Sequence, residues 1–122
     1  MNLKTLSIVL FFTMFLYSGS HKILKFNKKV NVLEKKTRLP HIINVLGMIG
    51  VIILEIIGSL LMIMYFINNK LVNKHIIQLV NLVFLAFLIV VTLLYHPPTD
   101  KMIPFLSNMT TFAGLLYIYA DL

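Results

Sequence analysis

The sequence of 122 residues contains no cysteine, and only four of its residues are acidic. Without a thiol, the chain itself forms no disulfide and supplies no ligands for cysteine-bound zinc or an iron–sulfur cluster. The sequence also shows no paired carboxylates, no phosphate-binding glycine loop and no nucleophile elbow. These absences argue against an enzyme that carries its own catalytic site.

Charged residues of both signs are scarce and apolar residues are abundant. Charged residues make up 12% of the chain and apolar residues 59%, and the mean hydropathy is +0.92. Soluble domains carry about 25% charged residues, so we expect an integral membrane protein. We predict one all-α domain over residues 1–122, a transmembrane four-helix bundle. The predicted spans are residues 3–19, 40–67, 76–95 and 103–120.

The first span has a second interpretation. Its basic start, its apolar core and the small residues at 18–20 also fit a cleaved secretory signal. Cleavage would break up the helical face on which Thr13, Tyr17 and His21 recur every four residues, because it would discard the first two. We favour an uncleaved first span and keep cleavage as the alternative.

Basic residues are concentrated between the first two spans. The loop at residues 22–38 carries seven of the eleven lysines and arginines. The positive-inside rule places this loop in the cytoplasm and both termini outside. Phe26, Val30 and Leu33 recur at helical spacing among the lysines, which predicts a short amphipathic helix along the headgroups. We therefore expect the basic residues behind the net charge of +7 to bind anionic lipid headgroups and not nucleic acid.

Glu55 is the one acidic or basic residue between positions 45 and 67. An acid at the centre of a span costs about 3 kcal/mol of insertion free energy, which the surrounding apolar side chains outweigh. A helical wheel places Gly47, Glu55, Gly58 and Met62 on one face, where glycines let a neighbouring helix approach. We expect this face to pack inside the bundle and Glu55 to mark a functional site.

The partners of Glu55 must lie at its depth in the membrane. Counting residues from the loops places Thr13, Thr92 and Thr111 near that level. By the same count, no lysine, arginine or histidine lies at this depth. An unpaired charge in hydrocarbon is neutralised. We therefore expect a protonated Glu55 that hydrogen-bonds to threonine hydroxyls, in an intramembrane polar site formed by these four residues.

Three histidines, His21, His41 and His96, fall near the basic-loop end of the spans. Imidazoles bind zinc and haem iron, but these three lack the paired i, i+4 spacing of a helical metal site, and we assign no metal. The polar stripes of the third and fourth spans are typical of ordinary packing between membrane helices.

Ordered motifs in the chain resemble those of the DoxX-like family of small four-helix membrane proteins. Gly19 and Lys22 are similar to the family's Gly-x-x-Lys step at the end of the first helix. Gly47, Glu55 and Gly58 resemble its Gly…Glu-x-x-Gly helix.

The resemblance continues in the second half of the chain. Tyr95 and His96 resemble the family's Phe-His at the end of the third helix. The stretch from Asn108 to Leu116, which includes Gly114, resembles the Asn-Leu-Ala-x-x-Gly-Gly-Leu-Leu run of its last helix. The resemblance implies a four-helix bundle. It also implies functions that range from subunits of quinone-linked oxidoreductases and partners of redox enzymes to assembly chaperones and cargo-handling proteins.

Residues and resemblance together favour a non-catalytic adaptor or assembly chaperone for other membrane proteins, without a cofactor. The first alternative is a subunit of a quinone-linked membrane oxidoreductase, in which Glu55 and His96 would handle the protons of a quinone. The weaker alternative is a small proton-coupled transporter, for which the chain would need to form a homo-oligomer.

Overall fold

The computed structural model describes residues 2–97, 99 and 101–122, and in this part the chain is all-helical, as predicted. The helices are α1 Leu3–Leu24, α2 Phe26–Thr37, α3 His41–Ile67, α4 Lys74–Tyr95 and α5 Met102–Asp121. They form two compact units. The first unit ends at Asn73 and contains α1–α3, and the second, Lys74–Leu122, contains α4 and α5.

Three helices in the described part, α1, α3 and α4, are long and apolar enough to cross a membrane. The hydrocarbon core is about 30 Å thick, and a helix rises 1.5 Å per residue. Helix α5 has 20 residues but is not among the three. Length and composition thus mark a membrane protein with three such helices, and the span at 103–120 stays a prediction.

In the first unit, α1 packs on α3 through one stripe of buried residues. The stripe recurs every three or four positions, as one face of a helix requires. Its members are Thr5, Ile8, Phe12, Phe15 and Gly19. The Thr5 hydroxyl donates to the Phe66 carbonyl at 3.1 Å, while Gly19 lies against Ile56. Because the early residue of α1 meets the late residue of α3, the two helices are antiparallel.

The basic segment is helical from Phe26 to Thr37 and packs along the first turns of α3. It ends at Arg38, whose φ of 58° is the left-handed conformation that terminates many helices. Asn44 joins the two helices from a buried position. It accepts from the Thr37 hydroxyl at 2.7 Å and donates to the Leu39 and Pro40 carbonyls at 2.9 and 3.0 Å. Helix α2 is therefore anchored to α3.

In the second unit, α4 and α5 pack against each other near Thr92. The Asn108 amide donates to the Thr92 hydroxyl at 3.1 Å, and the His96 backbone N–H donates to the Thr92 carbonyl at 2.9 Å. Thr92 and Asn108 therefore link α4 to α5 by a hydrogen bond between their side chains, as helix packing in lipid favours.

Candidate functional site

The backbone of α3 leaves α-helical geometry at its buried acid. Leu54–Gly58 forms a π-helical turn between the α-helical segments His41–Ile53 and Ser59–Ile67. Glu55 is the second residue of this turn and is 2% exposed. Single π-helical turns within α-helices are frequent at functional sites. The acid that the sequence singled out thus lies at the irregular point of its helix.

Helix α1 approaches the π turn closely at Gly19. A Cβ atom at this position would lie 2.7 Å from Cγ1 of Ile56 and 3.2 Å from Cβ of Glu55. Real Cβ contacts are longer than the first of these distances, so only glycine fits here without displacement of Ile56. Small residues permit this kind of backbone approach between membrane helices.

Lys22 reaches Glu55 from one turn beyond Gly19. Its Nζ lies 2.7 Å from Oε1 of Glu55 and donates to the Ser18 hydroxyl at 2.6 Å. The contact with Glu55 is an ion pair by distance, with angles outside those of a hydrogen bond. The side chains are 19% exposed for Lys22 and 3% for Glu55. The pair therefore has a buried anionic end and a partly accessible cationic end.

The prediction that no cation lies near Glu55 is wrong. Counting from the loops ended the first helix at residue 19, but α1 continues to Leu24. Because Gly19 lies against Ile56, the next turn of α1 carries Lys22 to the acid. The reason for expecting a protonated Glu55 is thereby removed.

The threonines predicted to bond Glu55 have other partners. Thr13 is exposed, and its hydroxyl donates to the Val9 carbonyl at 2.7 Å. It precedes Gly19 by six residues, about 9 Å along the helix. Thr92 accepts from Asn108, and the Thr111 hydroxyl donates to the Ser107 carbonyl at 3.4 Å. Within the first unit, Ser18 and Lys22 occupy the place that the sequence analysis gave to Thr13.

The predicted glycine face of α3 is partly wrong. Glu55, Gly58 and Met62 are buried, but Gly47 is exposed, and a Cβ there would meet nothing within 4 Å. The buried residue at this height is the next one, Met48, which points about 100° away from Gly47. The buried face of α3 therefore passes through Met48, and not through Gly47, before it reaches the π turn.

A second polar group lies one turn beyond the acid. Ser59 is fully buried, and its hydroxyl has no hydrogen-bond partner among the described residues. A buried hydroxyl without a partner costs about 1–3 kcal/mol relative to a bonded one. Unpaired polar groups of this kind call for an explanation, such as water or a bound partner.

The histidines are not gathered into one cluster within the first unit. His21 stacks on Tyr17, with 6.2 Å between ring centroids, whereas His41 pairs through Nδ1 with Glu34. His96 belongs to the second unit. In residues 2–97, 99 and 101–122, no three histidine or acidic side chains lie close enough to hold a metal ion.

Several positions that carried the family resemblance come together in each unit. Gly19 and Lys22 of α1 meet Glu55 of α3, and Asn108 of the second unit bonds to Thr92, one turn before His96. Sequence reasoning named Lys22 only as a motif position and missed it as the partner of Glu55. The signal was present, because the Gly-x-x-Lys step places a cation one turn from the glycine that permits close approach.

Comparison of the chain with protein-family models, with curated proteins and with solved structures finds no match. The DoxX-like resemblance is neither supported nor contradicted by this result, and it stays a proposal.

The close approach at Gly19 predicts an asymmetry among glycine substitutions. Gly19→Ala should lower the free energy of unfolding by about 1–2 kcal/mol, because overpacking outweighs the gain in helix propensity. Gly47→Ala and Gly50→Ala are matched controls that meet nothing within 4 Å, and they should be neutral or stabilising. Unfolding by SDS in mixed micelles, followed by circular dichroism, measures all three. Equal effects at the three positions would contradict the packing at Gly19.

The Lys22–Glu55 pair predicts strong coupling between the two positions. Lys22→Met and Glu55→Met should each cost about 3–5 kcal/mol, because each leaves one charge without its partner. The double variant should lose much less than the sum of the two. The same SDS titration closes this double-mutant cycle, and additive losses would show that the two side chains do not interact.

Infrared spectroscopy tests the charge state of the pair directly. The infrared difference spectrum between wild type and Glu55→Met at neutral pH should contain a carboxylate band. In Lys22→Met this band should be replaced by that of a protonated acid, because the acid has lost its counterion. A protonated-acid band in the wild type would show instead that the pair is neutral.

Proposed function

We propose that the chain is a small multi-pass membrane protein that acts as a non-catalytic adaptor or assembly chaperone for other membrane proteins. The observation that carries this proposal is the Lys22–Glu55 pair, a fixed polar group between apolar helices whose lysine end is 19% exposed. Polar side chains hydrogen-bond across helices in membranes, so the pair supplies a point of recognition for a client helix.

The chemistry of the pair favours a client that offers hydrogen-bond acceptors. An ammonium has three donor hydrogens, and Lys22 has two neighbours among the described residues, Ser18 and Glu55. Its remaining donor capacity suits a carbonyl, amide or carboxylate oxygen of a client.

Co-purification tests the adaptor function. After crosslinking in the native membrane, quantitative mass spectrometry compares the partners of tagged wild type, Lys22→Met, Glu55→Gln and the control Lys70→Met. Lys70 is exposed and lies outside the site. We expect wild type and control to recover the same set of membrane proteins. The recovered amount of these proteins should fall several-fold in both site variants, because each variant removes one end of the pair. The same recovery from all four would contradict the proposal.

A charge exchange separates recognition from folding. Lys22→Glu combined with Glu55→Lys keeps an ion pair and is expected to preserve the fold better than either single change. It also moves the ammonium to α3. If partners recognise the exposed ammonium on α1, this variant stays folded and still loses them. Recovery of the full partner set by the exchanged pair would mean that the pair serves stability alone.

We further propose the four-helix arrangement that the DoxX-like resemblance implies, with α5 as the fourth span. Because the chain has no cysteine, single cysteines at Asn31, Asn69, Thr99 and Leu122 report topology without background. An impermeant maleimide applied to intact cells should label positions 69 and 122, and positions 31 and 99 only after permeabilisation. If position 122 is labelled only after permeabilisation, as position 99 is, then α5 does not cross the membrane.

The same ion pair favours one second candidate, a subunit of a quinone-linked oxidoreductase. A quinone carbonyl is an acceptor that a partly exposed ammonium can bind, and a carboxylate beside it can accept a proton. Organic extracts of the same purified samples test this. A quinone retained by wild type and by Lys70→Met but lost from Lys22→Met would favour this candidate over the adaptor.

A further inference from the structure

Helix α2 presents one side to the protein and another to its surroundings. Val30 is 2% exposed, and Phe26 and Leu33 are half-buried, so the apolar side of α2 is largely used in packing. From the sequence, this side was expected to face the membrane, with the helix along the headgroups. Because it packs on the protein instead, the surface that α2 offers to a partner is its basic side.

The basic side of α2 is a compact surface. On a helical wheel the four lysines of α2 and Lys25, which immediately precedes the helix, fall within an arc of about 120°. They are Lys25, Lys28, Lys29, Lys35 and Lys36. All except the half-buried Lys29 are exposed, and Arg38 follows them at the exposed end of the helix. The one acid of this segment, Glu34, is paired with His41 and falls on the opposite side of the same helical wheel from the lysines.

Apolar residues beside this surface indicate that its surroundings are lipid. Leu24 precedes α2 and Leu39 follows it, and both are exposed, as are Ile42 and Ile43 at the start of α3. Helix α3 has 27 residues, about 40 Å, and exceeds a hydrocarbon core of about 30 Å. Its polar residues His41 and Asn44 lie at the end that α2 covers, which places the excess length at headgroup depth.

We propose that the lysine face of α2 is a binding site for the headgroups of anionic phospholipids. It holds them by charge on a helix anchored to α3 through Asn44, rather than by insertion of an apolar helix face. Basic clusters beside a membrane helix attract anionic lipids in this way. The site does not depend on the Lys22–Glu55 pair or on the proposed adaptor function.

Native mass spectrometry of the full chain in detergent tests this site. Delipidated protein is titrated with phosphatidylglycerol and with phosphatidylcholine of the same acyl chains. We expect tighter binding of phosphatidylglycerol, which weakens on the order of 100-fold in Lys25→Gln/Lys28→Gln/Lys35→Gln. The matched control Lys70→Gln/Lys74→Gln/Lys101→Gln removes three exposed lysines elsewhere and should bind as the wild type does.

Three results would overturn the proposal. They are equal binding of the two lipids, equal weakening of lipid binding by both triple variants, and tighter binding of a duplex oligonucleotide than of phosphatidylglycerol. Circular dichroism of each variant confirms that α2 is still folded. Val30→Ala adds a second check. If α2 held lipid by inserting its apolar side, this variant would bind phosphatidylglycerol more weakly. If the lysines hold the lipid by charge, its binding should stay within two-fold of that of the wild type.

Discussion

A carboxylate inside a membrane helix requires a partner, and the packing of α1 on α3 meets this requirement for Glu55. On insertion scales a charged residue at the centre of a span, the position of Glu55 in α3, costs about 2.5–3.5 kcal/mol when it has no partner. Lys22 and Glu55 share one site at 2.7 Å instead. Such a pair need not add net stability, but loss of one partner is costly. The pair forms in the register in which Gly19 lies against Ile56, so it favours that register between the helices.

This register accounts for the position of α2. With Gly19 beside Ile56 and Thr5 beside Phe66, the end of α1 at Leu24 lies level with about residue 51 of α3 by residue counting. About ten residues of α3, or 15 Å, then extend beyond α1. Helix α2 has 12 residues, about 18 Å, and packs along this part of α3. The connection is therefore a packed helix, and its lysines lie on the remaining, exposed side.

The all-α class, the membrane helices α1, α3 and α4, and the importance of Glu55 could be predicted from composition and periodicity. The partner of Glu55 could not be obtained by counting residues, because that count assumes that neighbouring helices end level at their loop. The π turn also escapes a helical wheel, since nothing in Leu54–Gly58 distinguishes it from α-helix. Gly47 was misplaced for a related reason. A wheel with a fixed 100° step does not show which of two adjacent residues, Gly47 or Met48, is buried.

An ion pair at this site recognises other groups than a protonated acid would. A neutral carboxyl both donates and accepts hydrogen bonds, whereas a carboxylate only accepts, and an ammonium only donates. Here the acceptor, Glu55, is the buried member, and the donor, Lys22, is the exposed one. A client or ligand therefore meets a cation that is already partly neutralised, which suits an uncharged acceptor within the membrane. A fully charged anion would bring an additional charge into the low-dielectric interior, at a higher desolvation cost. The geometry thus favours carbonyl and amide oxygens over carboxylates as the groups that bind here.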